Sequence, residues 1–223
     1  MPQGDDLRRA VLKRFEIWAA FLNEDQRHAR HVLRLSLELY DGLSRAGVLK
    51  VEGYEGVSAR ELLTVATQTH DIGVGAGPHP RHKRARRMLE KLEPPPGWTA
   101  EHLSIVGLIG RCHRGALPGA QASYRILPAL GRAAVNELAG ILRLADRLDE
   151  THDQSIARVR VERAGGFVLV RADGYRELTK AAERIAASRH LLEAACGVPI
   201  LLRPGAPART RTVAKVANAT PAP

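Results

Sequence analysis

Apolar residues recur at helical spacing through most of this 223-residue chain, and the breaks between them fall on capping and turn chemistry. "DLRRAVLKRFEIWAAFL" (6–22) is predicted as a first amphipathic helix. Asn23, with Gln26 three positions on as its capping-box partner, opens a second. That helix runs to about Arg45 and repeats Val32, Leu35 and Leu39 on one face. "SARE" (58–61) is another box, and the helix behind it ends on His70, Asp71 and Gly73. Weaker helical signals cover about 80–92 and, after Thr99, about 100–112. "PGAQASYRILP" (118–128) reads as a loop feeding a long helix over about 132–150.

The period then changes. "SIARVRVERAGGFVLVRAD" (155–173) alternates Ile156, Val159 and Val161, then Phe167 and Leu169, around an Ala-Gly-Gly turn, the pattern of a β-hairpin. A helix is predicted over about 176–195, and "VPILLR" (198–203) as a third strand. The fold expected is therefore mainly α, a helical body over 1–154 with a small α+β piece over 155–203 packed on it. Residues 204–223, rich in Ala, Pro, Thr and basic side chains, are expected to form a disordered basic tail. The pattern leaves open whether 6–22 and 24–45 pack inside one chain or help build a homodimer.

Composition adds bounds. At 44% hydrophobic and 26% charged residues the chain has what an ordinary globular core needs. No apolar run is long enough to cross a bilayer, and "MPQGDDLRRAVLKRF" lacks the pattern of a signal peptide. Cys112 and Cys196 are too few for a disulfide scaffold or a thiolate zinc cage, so a cytoplasmic setting without a membrane partner is expected. The net charge of +10, part of it in "PRHKRARR" (80–87) and part in the tail, suggests a polyanionic partner, with solubility alone as the alternative. With only 4% aromatic residues there is little for bases to stack on. Nucleic acid therefore ranks below a phosphorylated small molecule or polyphosphate.

The candidate chemistry lies where ionisable groups interrupt apolar faces. His28 stands on the face of Val32 and Leu35, His70-Asp71 ends the third helix, and Asp146 lies between Leu142, Ala145 and Asp149. Each has a structural alternative: a hydrogen-bonded core histidine, or Asp146 paired with Arg143 one turn away. His152-Asp153 is a further pair of the same kind. The ordered set, His then His-Asp then Asp on three helices, is what gives the signal, because one cation would satisfy all four groups. Mixed nitrogen and oxygen ligation suits Mn, Fe, Co, Ni or Zn more than Ca; one or two divalent ions are expected, Mg included.

This set resembles the metal ligands of the HD-domain phosphohydrolase superfamily. Carrying the resemblance are "HARHVLRLSLELYD" (28–41), "LLTVATQTHDIG" (62–73), "HKRARRML" (82–89), "RCHRGALP" (111–118) and "LAGILRLADRLDETHDQSIARVRV" (138–161). More closely, the chain from about 7 to 203 resembles the C-terminal HD region of the exopolyphosphatase/guanosine pentaphosphate phosphatase family. The resemblance implies that His28, His70, Asp71 and Asp146 bind metal, and it assigns His152-Asp153 to the turn after the long helix. Asp71, His82 and His113 are the implied catalytic groups. His82 and His113 serve either as ligands of a second ion bridged by Asp71 or as proton donors to the leaving oxygen. Lys83, Arg111, Arg114 and Arg147 are candidates for binding phosphate, with a solvated basic face as the alternative.

Three departures narrow the expectation. The actin-like domains to which that family's phosphate cleavage is attributed have no counterpart here, so its usual exopolyphosphatase mechanism does not carry over. The loop around His82 holds Arg81 and Arg84 where the family often has further histidines. Ile72-Gly73-Val74-Gly75 follows His70-Asp71 in place of the alarmone-hydrolase signature. The expected activity is hydrolysis of a phosphate ester or phosphoanhydride, nucleotide or polyphosphate-like, by a hydroxide on the metal. The alternative is a non-catalytic module that binds metal and nucleotide or polyphosphate and partners a separate catalytic chain.

Overall fold

The computed structural model describes residues 2–73 and 81–205; of the basic tail expected over 204–223, Pro204 ends a strand instead, and 206–223 lie outside the described residues, as do the side chains of Arg81, His82 and Lys83. Helix α1 (Pro2–Leu22) starts earlier than the pattern suggested and turns Val11, Phe15 and Ala19 inward at helical spacing. Phe15 meets Trp98 with ring centroids 5.1 Å apart, so α1 packs within its own chain. Helix α2 (Gln26–Arg45) is capped by Asp25, not by Asn23 as expected: the Asp25 carboxylate accepts from the His28 amide at 3.0 Å. Asn23 acts one step earlier, its side-chain oxygen accepting from Asp25 N at 2.9 Å and so holding the cap itself.

A short hairpin, β1 (Gly53–Tyr54) with β2 (Val57–Ser58), leads into α3 (Ala59–Thr69), which opens on the expected Ser58/Glu61 capping box. Helix α4 (Arg81–Glu90) and helix α5 (Ala100–Cys112) follow, the latter boxed by Thr99 and His102. The segment expected to be loop holds a 3-10 turn, Pro118–Ala120, and the short α6 (Ala122–Arg125). Helix α7 (Ala129–Leu148) begins earlier than predicted, because Pro128 supplies a preset φ at its N-cap. Its buried positions run almost without interruption, which places it at the centre of the bundle.

At the C-terminus β3 (Arg158–Ala164) pairs antiparallel with β4 (Phe167–Asp173), and β5 (Ile200–Pro204) joins β4 in parallel. The hairpin is as expected, but its face on β4 is not: Val168, Val170 and Ala172 are buried, while Phe167 and Leu169 are half-buried on the other side. "FVLV" (167–170) is apolar on both faces, so alternation within it could not choose between registers that differ by one residue. The single helix expected over 176–195 is two. Thr179 caps α8 (Lys180–Ser188), and the chain bends at Arg189 into α9 (His190–Cys196).

This piece is pressed tightly onto the helical body. A Cβ on Gly140 of α7 would stand 2.8 Å from Leu192 Cα, and one on Gly42 of α2 would stand 2.6 Å from Val161 Cβ. One continuous core accordingly runs from Leu35 and Leu138 to Val170 and Leu192. Among the described residues no helix is long and apolar enough to cross a membrane.

Candidate metal centre

Three helix ends deliver three imidazoles. His28 heads the buried stripe Val32, Leu35, Leu39 and Leu43 and sits in the first turn of α2, where the Asp25 cap fixes its backbone. His70 and His113 are the C-caps of α3 and α5. There each ring folds back so that Nδ1 donates to the carbonyl three residues earlier, Thr67 O at 2.6 Å and Gly110 O respectively. Those carbonyls belong to final turns that have no helical partner, so ring and helix end satisfy each other.

With Nδ1 committed, Nε2 is the end of each ring that faces the carboxylates. His28 follows the same rule by another route: its Nδ1 donates to Asp149 Oδ2 at 2.8 Å, and Asp149 Oδ1 accepts from Gln154 N at 2.8 Å. His152 stacks flat on the His28 ring, with centroids 3.7 Å apart and planes 8° from parallel, and its Nδ1 bonds Asp25 Oδ2 at 2.6 Å. Asp25 thus caps the helix that carries His28 and also holds the ring that covers it.

The Nε2 atoms converge on two carboxylates. Asp146 Oδ1 is 3.3 Å from His28 Nε2 and 3.7 Å from His70 Nε2. Asp71 turns Oδ2 toward His70 Nε2 at 3.9 Å and Oδ1 toward His113 Nε2 at 3.8 Å, one oxygen to each ring. His28, His70, Asp71, His113 and Asp146 are all buried, and the Nε2 atoms of His28 and His70 make no hydrogen bond. Buried polar atoms at hydrogen-bonding potential are normally satisfied. Two atoms each about 2.1 Å from one ion stand roughly 3.0–3.4 Å apart, only slightly closer than these pairs. The donor set therefore fits a divalent cation.

Electrostatics agree. Burial opposes charge on His28, but the carboxylates of Asp146 and Asp149 overcome it and raise its pKa to about 9. Desolvation pushes the enclosed His113 down to about 4. Burial would raise Asp146, yet His28, His70 and Arg114 hold it well below the carboxylate range; Asp71 is lowered against burial by His70, His113 and Arg114. Asp146 and Asp71 both feel the Arg114 guanidinium, whose fork closes on Asp146 with Nε to Oδ2 at 2.8 Å and Nη2 to Oδ1 at 2.7 Å.

The remaining candidates divide. Arg114 lies at the centre, engaged with Asp146. Arg111 is half-buried in the last turn of α5. Arg147 is tied to Glu150, the solvated-face alternative for that residue. Arg143 does not pair with Asp146. It donates to Cys112 O at 3.1 Å and Gly115 O at 2.9 Å, pinning the His113 turn to α7. Asp149 and the His152 stack had no role in the sequence reading; an Asp at i and i+3 on a buried face was the signal that could have found Asp149.

The model of the family described as HD domain matches residues 26–151, from the start of α2 to the turn after α7, and that span contains His28, His70, Asp71, His113, Asp146 and Asp149, with Asp25 and His152 just outside it. No curated protein matches the chain.

Proposed function

The chain belongs to the HD-domain family, whose character is that of metal-dependent phosphohydrolases, and from that premise we propose that it hydrolyses a phosphate ester or phosphoanhydride at this centre. One observation carries the reading: three imidazoles with Nδ1 tied back present Nε2 to two buried carboxylates at ligand-like spacing. His28, His70, Asp71 and Asp146 would hold the ion, and nitrogen with oxygen ligation supports Mn, Fe, Co, Ni or Zn over Ca. Such a cation lowers the pKa of bound water and polarises a phosphoryl oxygen.

The protein groups divide the rest. Asp71 offers separate oxygens to the His70 and His113 sides, which supports a bridging role between two positions. His113, pushed down to about 4, is neutral near pH 7, which favours a ligand role for it over proton donation. Arg114, held on Asp146 at the centre, supports a phosphate-binding role for that residue; Arg111 stays a candidate, while Arg147 is engaged with Glu150. The net charge of +10 and the likeness to exopolyphosphatase HD regions support a nucleotide or polyphosphate-like substrate.

The test is direct. The purified protein is stripped with chelator, reloaded with Mn²⁺, and offered p-nitrophenyl phosphate, nucleotides and polyphosphate. Turnover of one class that disappears in Asp71→Ala supports the proposal. Metal bound with no turnover of any class reduces the centre to a binding module, and failure to bind Mn²⁺, Fe²⁺, Co²⁺, Ni²⁺ or Zn²⁺ refutes both.

A further inference from the structure

Arg114 and the ion need the same atom. Asp146 Oδ1, the oxygen that faces His28 Nε2 at 3.3 Å and His70 Nε2 at 3.7 Å, also accepts Arg114 Nη2 at 2.7 Å. Resting on the metal-centre reading above, we propose that Arg114 is a resident counter-cation that a divalent ion displaces from Asp146, and that the released guanidinium becomes the anchor for substrate phosphate. Loading of metal and capture of phosphate are then one coupled event.

The two partners differ in freedom. Asp146 has 4% side-chain exposure on the face of α7 where Leu142, Ala145 and Asp149 are buried too, and cannot follow a departing guanidinium. The side chain of Arg114 is 39% exposed and hangs from the turn after α5, so it is the partner that moves. A dication sharing Oδ1 would stand within a few ångströms of the guanidinium nitrogen, and like charges at that spacing repel strongly where water is scarce. Each cation also draws on the same oxygen lone pairs, so occupancy by one weakens the hold of the other. The fork of Arg114 is matched to phosphate oxygens as well as to carboxylate. Its position next to His113 places it at the exposed side of the centre.

This makes a prediction opposite in sign to that of a supporting residue. Partners that only orient a ligand lower metal affinity when removed. A competitor raises it. Calorimetric titration of chelator-stripped protein with Mn²⁺ should show Arg114→Met binding tighter than wild type by roughly tenfold, within the ordinary coupling range of about 5- to 150-fold. The melting temperature of the metal-free variant should fall, because Asp146 loses its cation, and should return to the wild-type value once Mn²⁺ is bound. Inorganic phosphate should tighten Mn²⁺ binding to wild type and have no such effect on Arg114→Met, by reciprocity of linkage.

If Arg114→Met does not fold without metal, Arg114→Lys, which keeps the charge and loses the fork, decides the matter by the same titration and should also bind Mn²⁺ more tightly. Equal or weaker Mn²⁺ binding by the folded variant, with wild type still binding, overturns the displacement and leaves the metal centre standing. No Mn²⁺ binding by wild type would instead count against the centre itself.

Discussion

Replacing Asp149 with Asn tests whether the charge behind His28 sets the metal-binding nitrogen. Asp149 is 1% exposed and uses both oxygens: Oδ2 takes the proton of His28 Nδ1 at 2.8 Å, and Oδ1 takes that of Gln154 N at 2.8 Å. An amide of the same shape has one acceptor and one donor end. With its oxygen on Gln154 N, the NH₂ faces His28 Nδ1 and drives the ring proton to Nε2, the atom needed for the ion. Turned the other way, it keeps the tautomer but sets NH₂ against the Gln154 amide, an unsatisfied buried donor costing about 1–3 kcal/mol. Either arrangement weakens the site. Partners of this kind are worth about 10- to 100-fold in metal affinity, or roughly 1.4–2.8 kcal/mol. Mn²⁺ calorimetry measures the loss, and ¹⁵N chemical shifts of the His28 ring in metal-free protein, recorded above the pH of about 9 at which the ring becomes neutral, report the tautomer. A folded Asp149→Asn variant that binds Mn²⁺ like wild type would refute the reasoning.

Other consequences follow from the same geometry. Gly140→Ala drives a Cβ to 2.8 Å from Leu192 Cα, a backbone atom that cannot step aside, so urea denaturation should show a loss of about 1–3 kcal/mol. Glu137, buried in α7, accepts from Lys50 N at 2.9 Å and Val51 N at 3.2 Å; Glu137→Ala orphans both and should cost about 2–4 kcal/mol in the same assay, with Mn²⁺ affinity unchanged. In metal-free protein the folded pKa of His28, about 9, lies above its ordinary 6.5, so its stabilising contribution is complete below 6.5 and is lost as pH rises through 9. Thermal melts of stripped protein should show that decline, and His28→Gln should remove it.

Much of the architecture was legible because several helices state their own ends. Ser58-Ala-Arg-Glu61 opens α3 as its box requires, and the 3.6-residue stripe through Val32, Leu35 and Leu39 is the buried face of α2. What failed did so for identifiable reasons. Asn23 and Asp25 are both competent caps two residues apart, and only the fold shows that one serves the other. Phe167 to Val170 is apolar on both faces, so its period was silent about which side met the core. The bend at Arg189 follows from α9 resting on the bare surface of Gly140, a contact between distant segments that no local pattern records.

The same limit separates the ligands from their supports. His28, His70 and Asp146 could be picked out because an ionisable group at the head of a buried stripe is costly and asks for a partner. Periodicity assigns a face, however, and says nothing about which ring nitrogen faces the carboxylates. That is decided by Asp149 behind His28 and by the Thr67 and Gly110 carbonyls behind His70 and His113. Two of the three constraints are local, a C-capping imidazole folded onto the carbonyl three residues back, and so are readable in principle from a histidine placed just past an apolar helix. The third, Asp149 on His28, joins residues far apart in the chain and arises only when α7 packs against α2. The chemistry of the centre thus depends on helix packing for one tautomer and on helix termination for two. Substitutions that shift α7 relative to α2 should therefore impair the His28 side of the centre before the His113 side.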